Sequence, residues 1–276
     1  MNFLPATYII LAVLCSFDFV KAQQSSDQTY QLVWSDEFSK DGEPEHTKWV
    51  YDMGDGCPGV CQWGNQELQY YTSDSSNVCV RNGYLFVTAR KENKGSREYT
   101  SARLKTKGKG DWTYGKIEVR AKLPTGRGTW PAIWMLPTQS AYGGWPKSGE
   151  IDIMEHVGYE PDSIFGTVHT TSYNHIIGTQ KGGAVYSGDC EKSFHVYGIE
   201  WNKNKIDFFV DDLLYFTFIN ENKTNKEWPF DQPFHLLLNV AAGGNWGGKK
   251  GVDKNIWPQQ MVVDYVRVYQ LPSSKM

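Results

Sequence analysis

From Lys116 to Leu123 the chain runs Lys-Ile-Glu-Val-Arg-Ala-Lys-Leu, charged and apolar in strict alternation. A period of two is what a half-buried β-strand demands, because successive side chains leave a strand on opposite faces. Further strands are predicted at Gln31–Trp34, Tyr84–Arg90, Ile206–Val210, Leu214–Phe218 and Val262–Tyr269, stretches rich in β-branched and aromatic residues. Asp211-Asp212, between two of these runs, reads as the turn of a hairpin. Helical periodicity is nearly absent, and Gly, Pro, Asn and Asp separate the strand signals, with 27 Gly in 276 residues. Such a pattern predicts an all-β fold, an antiparallel sandwich or barrel. No internal repeat or low-complexity linker divides the chain, so one domain over residues 23–276 is the simplest organisation.

One stretch does not fit a plain strand. Gly149-Glu150-Ile151-Asp152-Ile153-Met154-Glu155 packs three carboxylates into six residues. On a helix Glu150 would sit inside the apolar arc of Ile153, Met154 and Val157, a poor place for a charge. On a strand Glu150 and Asp152 share one face, but Glu155 falls on the other. A β-bulge near Met154 returns Glu155 to the face of the other two, and bulges are over-represented beside active sites. The resulting row suits glycoside hydrolysis, in which one carboxyl protonates the leaving oxygen while an ionised one attacks the anomeric carbon or activates water. Asp152, lying between the two Glu residues, can hold Glu150 ionised through a shared hydrogen while Glu155 keeps its proton. Solvated surface and metal ligation are the competing readings of an acidic cluster, and the flanking sequence has to decide among the three.

The net charge of -3, with both signs interspersed, recommends neither nucleic acid nor an anionic membrane as partner; a neutral polymer fits. Eleven Trp and sixteen Tyr are a high count; some of the rings belong to the core, and others can line a sugar groove, where the flat faces of pyranose rings stack on aromatics. Gln62-Trp63-Gly64-Asn65-Gln66-Glu67-Leu68-Gln69-Tyr70-Tyr71 mixes amides with aromatics, and amides offer the paired donors and acceptors that sugar hydroxyls require. A solvated loop is its alternative reading. Trp130 and Trp134 lie four apart, on one face if the segment is extended, either lining a groove or filling the core. His169, alone on a predicted strand, is more often a satisfied structural residue than a functional one. The Gly-rich run Asn239–Gly248 lacks the Lys and the strand-to-helix setting of a phosphate loop.

Residues Met1 to Ala22 hold an apolar run, Tyr8–Phe17, ending at Val20-Lys21-Ala22, and are predicted to be a signal peptide followed by a mature chain from Gln23. Ten apolar residues are too few to span a bilayer, so the expected location is extracellular. Cys57, Cys61, Cys79 and Cys190 then form an even set in an oxidising compartment. Two disulfides are expected; of three connectivities, Cys57–Cys61 with Cys79–Cys190 is preferred. Zinc is disfavoured, since the spacings are irregular and no His lies near the paired cysteines. Asn222-Lys223-Thr224 is an N-glycosylation sequon.

Trp63-Gly64-Asn65 with Glu67-Leu68-Gln69-Tyr70-Tyr71, then Trp130-Pro131-Ala132-Ile133-Trp134, then Gly149 to Glu155 together resemble glycoside hydrolase family 16, in its laminarinase-like, endo-β-1,3-glucanase branch. The resemblance covers roughly Leu32 to Gln270, and the extra Met in the acidic motif is specific to the bulged branch of the family. It implies a β-jelly-roll of two antiparallel sheets with a concave substrate cleft, a retaining mechanism and a β-glucan substrate. It further implies Glu150 as nucleophile, Glu155 as acid/base, Asp152 as the assisting carboxylate, and Asn65, Arg103, Trp130, Trp134, His169 and Trp246 as substrate contacts. No cofactor is expected for catalysis and the expected state is a monomer. Members often carry a structural calcium, for which Glu37, the Gly83 carbonyl and Asp264 correspond as ligands, and oxygen-only coordination suits that ion. Asp264 is expected among valines on the apolar face of the last strand. A non-catalytic glucan-recognition protein or a lectin of the same fold is the alternative; such a protein would usually have lost one of the two Glu residues.

Overall fold

The structure, a computed structural model, describes residues 29–272. The expected signal segment, Met1–Ala22, lies outside the described residues. In chain order the strands are β1 (Gln31–Asp36), β2 (Val50–Tyr51), β3 (Gln69–Tyr71), β4 (Val78–Arg81), β5 (Tyr84–Ala89), β6 (Tyr99–Ser101), β7 (Arg103–Lys105), β8 (Asp111–Trp112) and β9 (Gly115–Lys122). There follow β10 (Thr129–Pro137), β11 (Glu150–Glu155), β12 (Ser163–His169), β13 (Lys181–Tyr186), β14 (His195–Trp201), β15 (Lys205–Val210), β16 (Leu213–Ile219), β17 (Phe234–Ala242) and β18 (Gln259–Gln270). Among the described residues the helical segments are two short 3-10 turns, Cys61–Gly64 and His175–Ile177, and no helix is long and apolar enough to cross a membrane.

Two eight-stranded antiparallel sheets form the jelly-roll. One runs β16-β15-β14-β9-β18-β5-β4 with β1 beside β18; the other runs β13-β12-β11-β10-β17-β7-β2 with β8 beside β17. The alternation read in Lys116–Leu123 is realised in β9, where Ile117, Val119 and Ala121 are fully buried while Lys116, Glu118, Arg120 and Lys122 alternate with them on the outer face. Ile117, Val119, Ile199, Trp201, Val263, Val266 and Val268 of the first sheet join Ile133, Met135, Ile151, Leu236, Leu238 and Val240 of the second in one hydrophobic core. Each such aliphatic side chain, fully buried, contributes about 1.5–3 kcal/mol of transfer free energy. The hairpin expected around Asp211-Asp212 is the β15–β16 pair, with Asp211 in the left-handed region at φ 53°.

In β17 every residue is buried, on both faces. Leu236, Leu238 and Val240 enter the core, while His235, Leu237 and Asn239 alternate with them toward the opposite face, which carries the cleft. Across it, β10 sets Ile133 against Leu238 and Trp134 against Leu237, so Trp130 and Trp134 stand on the cleft face as their spacing requires.

Two expectations need correction. Cys57–Cys61 is bonded, but Cys79 and Cys190 are free thiols. Val78 and Val80 of β4 point into the core, which turns the half-buried Cys79 to the other face, whereas Cys190 belongs to the core itself. Asp264 does not lie on the apolar face of β18: the register slips between Val263 and Tyr265, and this bulge takes Asp264 out of the valine row to pair with Arg120.

Candidate active site

The geometry of the acidic row follows from a slip in the ladder on both sides of β11. Against β10, Glu155 faces Ala132 and Met154 faces Ile133, but Trp134 faces Asp152, leaving Ile153 as the extra residue. Against β12, Glu150 faces His169, Asp152 faces Thr167 and Glu155 faces Phe165, with the slip between Asp152 and Glu155. Two residues on one strand opposing one on its neighbour is a β-bulge. It lets Ile151, Ile153 and Met154 all enter the core while Glu150, Asp152 and Glu155 share the cleft face. The strand is launched by Gly149, whose φ of 88° is left-handed and whose added Cβ would lie 2.9 Å from both Phe230 and Pro229, so glycine alone fits there.

Each carboxylate has its own partner. The indole Nε1 of Trp145 donates to Glu150 Oε2 at 3.0 Å, and Trp130 Nε1 donates to Glu155 Oε1 at 3.0 Å. His169 Nε2 lies 3.3 Å from Asp152 Oδ2 and 3.8 Å from Glu150 Oε1. Burial, aided by the neighbouring Asp152 charge, pushes the Glu150 carboxyl up to about 8, against the pull of His169, Arg103 and the Trp145 N–H. Asp152 is raised by burial and shares a hydrogen bond with Glu150. Glu155 is raised well above the usual carboxylate range by burial and then by the Asp152 charge, with Glu150 adding to the effect. The Asp152 charge and His169 act on both Glu residues and each carboxyl accepts from an indole N–H; what differs is Arg103, which pulls on Glu150, and the Glu150 charge, which raises Glu155, so Glu150 ionises first and Glu155 holds its proton. Two carboxyls pushed apart in this way are an acid and a nucleophile ready at one pH.

Aromatic and amide groups wall the row. The Arg103 guanidinium on β7 is sandwiched 4.6 Å from the Trp134 ring and 4.8 Å from Trp63, while its Nε lies 3.1 Å from Asp52. Trp134 Nε1 donates to Asn239 Oδ1 at 2.8 Å, fixing the indole plane. Trp246 meets Trp130 edge-on at 5.7 Å and Phe165 at 5.1 Å. The loop carrying Trp246 packs closely, since a Cβ on Gly247 would come within 2.7 Å of Trp130. Asn65 donates weakly to Glu67 Oε1 at 3.5 Å, and its carbonyl accepts from Asn245.

The sequence model of glycosyl hydrolases family 16 matches residues 61–267. The chain belongs to that family. It is 53% identical over 273 residues to a Rhodothermus marinus β-glucanase, an alignment covering 96% of this chain and 94% of the relative. The solved laminarinase of Rhodothermus marinus superposes with a TM-score of 0.85 at 54% identity, covering 89% of this chain and 99% of that one. A non-specific endo-β-1,3(4)-glucanase of family 16, co-crystallised with 1,3-β-D-cellotriosyl-glucose, gives 0.84 at 47% identity, covering 89% and 95%. Membership makes the protein a glycoside hydrolase with the retaining chemistry typical of the family.

Within that family frame, the residues expected from sequence divide unevenly. Glu150, Asp152, Glu155, Trp130, Trp134, Arg103 and His169 converge on one face, with Asn65 and Trp246 at its border. Trp145 is a site residue outside the expected set; its signal in the sequence is a Trp in the Gly-rich loop just before the acidic row. Glu67, which the sequence marks only as one member of a polar stretch, is buried, its carboxyl raised by desolvation against the pull of Arg103, and it accepts from Gln69 at 2.5 Å, bracing Asn65 from behind. Glu150, Asp152 and His169 bring three donor atoms within 4.8 Å of one another, a spacing a metal could use, but acid-base glycoside chemistry needs none. For the calcium set, register brings Glu37, Gly83 and Asp264 to one break along β18, where β1 ends and β5 begins. There the Glu37 carboxylate is held by Arg267 through two bonds of 2.9 and 2.8 Å, and Asp264 by Arg120, so placement suits the ion while both carboxylates already have cationic partners.

Proposed function

We propose that the protein is a secreted, monomeric endo-β-1,3-glucanase that cleaves with retention, Glu150 attacking the anomeric carbon and Glu155 protonating the departing oxygen. The observation that carries this reading is the bulge at Ile153, which brings Glu155 onto the face of Glu150 while separate indole N–H groups orient each carboxyl. Once the glycosyl-enzyme forms, Glu155 has lost its proton to the leaving sugar and takes one from the water that releases the product. Asp152 shares a hydrogen with Glu150 and faces His169, which keeps the attacking oxygen aimed and its charge compensated. The stacked Arg103, Trp63 and Trp134 offer a flat, partly apolar wall for glucose rings.

Likeness to a β-1,3(4)-glucanase supports activity on mixed-linkage glucan as well. Secretion is supported by the apolar leader pattern, and a structural calcium at Glu37, Gly83 and Asp264 by their convergence along β18. Digestion of laminarin, lichenan, agarose and xyloglucan, with products sized, tests the assignment. Internal cleavage of laminarin to short oligosaccharides is expected, with lichenan cut more slowly and the other two left intact. Tight binding of laminarin with no new reducing ends would instead leave the protein a glucan-recognition module.

A further inference from the structure

Beside the catalytic row lies a cavity of about 210 Å³, bordered by Gly149 and Trp145 on one side and by β7, β17 and the segment after β7 on the other. That is on the order of seven water volumes, enough for a substituent on a sugar ring. Its charge is out of keeping with the rest of the chain. The protein carries a net charge of -3, yet Arg103, Lys105 and Lys107 all line this cavity against the single carboxylate of Asp52. Asp52 is shared by Arg103, at 3.1 Å, and by Lys105. Lys107 has no carboxylate within ion-pairing distance among the described residues, and it is exposed at the cavity rim. His235, also in the wall, is driven down to about 3 by burial and by the charges of Lys107 and Lys105, so it stays neutral and offers only a hydrogen bond. Arg103, stacked between Trp63 and Trp134, already serves the wall for neutral glucose rings, but Lys107 lines the cavity without a carboxylate partner, and a third cation on one wall persists at a cost unless something anionic compensates it.

We infer that this cavity receives an anionic substituent, a sulfate ester or a carboxylate, on a β-glucan whose backbone lies in the cleft, so that charged glucans are substrates of the same site. The inference rests on the glucanase reading, since the backbone must be one the carboxylate row can cleave. Arg103 and Lys105 are each half-neutralised by Asp52, and Lys107 supplies the free charge. A guanidinium beside an ammonium suits either anion, because both present oxygens in a compact array.

The test compares kcat/KM on three probes: neutral laminarin, lightly sulfated laminarin, and laminarin partly oxidised at its primary alcohols to uronates. The readout is the ratio of each charged probe to the neutral one, in wild type, Lys107→Gln and Lys107→Arg. Lys107→Gln is expected to lower the ratio about threefold or more for the anion the cavity accepts, with Lys107→Arg restoring it, the size expected of an exposed charge pair. The two charged arms separate sulfate from carboxylate. For the accepted probe KM should also rise with added NaCl, while KM for neutral laminarin should not. A fall of less than about threefold for both charged probes on removal of the Lys107 charge overturns the inference. Neutral laminarin left uncut by the wild type would be a different failure: it would overturn the glucanase reading, and the proposed charged substrates with it.

Discussion

Glu150 and Glu155 perform different work because their surroundings differ, although burial raises both. Both are raised by burial and by the Asp152 charge and both have His169 and an indole N–H nearby, but Arg103 pulls on Glu150 whereas the Glu150 charge acts on Glu155. A consequence follows for stability. A carboxyl whose folded pKa is raised holds its proton after the unfolded chain has released it. Stability therefore falls as pH rises from the ordinary Glu value of 4.5 toward the folded value of about 8. Glu150→Gln removes that group, so the variant should equal the wild type in stability near pH 4 and exceed it by roughly 1–3 kcal/mol near pH 8, while losing turnover. Thermal unfolding of both proteins across that range checks the sign; a variant less stable at pH 8 would show that Glu150 is held as a favourable ion. The three carboxylates were legible in the sequence because counting by two leaves only one way to put them on a common face. Trp145 was not, because its indole reaches Glu150 from a loop whose path no periodicity encodes.

At the scale of elements, local irregularities decide the site. The bulge in β11 was legible because a charge displaced from its face is an error that one extra residue repairs. The bulge in β18 was not, because Asp264 among valines has the same alternation with or without it; only the cross-strand pairing with Arg120 distinguishes the two. The cysteines failed for a related reason: parity says how many thiols are available, but the face each strand turns inward decides which can meet, and Cys79 and Cys190 lie on different sides of a sheet. Gly149 is the element-level weak point, since β11 begins one residue after a left-handed turn packed against Phe230 and Pro229. Gly149→Ala should cost about 1–3 kcal/mol, a drop of roughly 2–10 °C in Tm by calorimetry. An unchanged Tm would instead mean that the launch of β11 tolerates a side chain.

For the whole molecule, the fold class was legible because the runs that became β1, β5, β9, β15, β16 and β18 each carry their own strand signal, while strands of two or three residues such as β2, β3, β6 and β8 carry none, and the order of pairing, β9 beside β14 and β18, depends on contacts far apart in the chain. Glu37 just after β1, Gly83 in the turn before β5 and Asp264 within β18 are brought together only in the finished sheet. Calcium in excess should raise Tm and a chelator should lower it, with Asp264→Asn abolishing the response. No shift with either reagent would leave Arg267 and Arg120 as the true partners of those carboxylates. The central claim is that this cleft cleaves β-1,3-glucan through a covalent bond to Glu150. The measurement that tests it most directly is trapping with a 2-deoxy-2-fluoro laminaribioside bearing a good leaving group, followed by peptide mass spectrometry. The account predicts a fluoroglycosyl adduct on the peptide holding Glu150, localised to that carboxylate; an adduct on Asp152 or Glu155, or turnover of the reagent with no adduct, would contradict it.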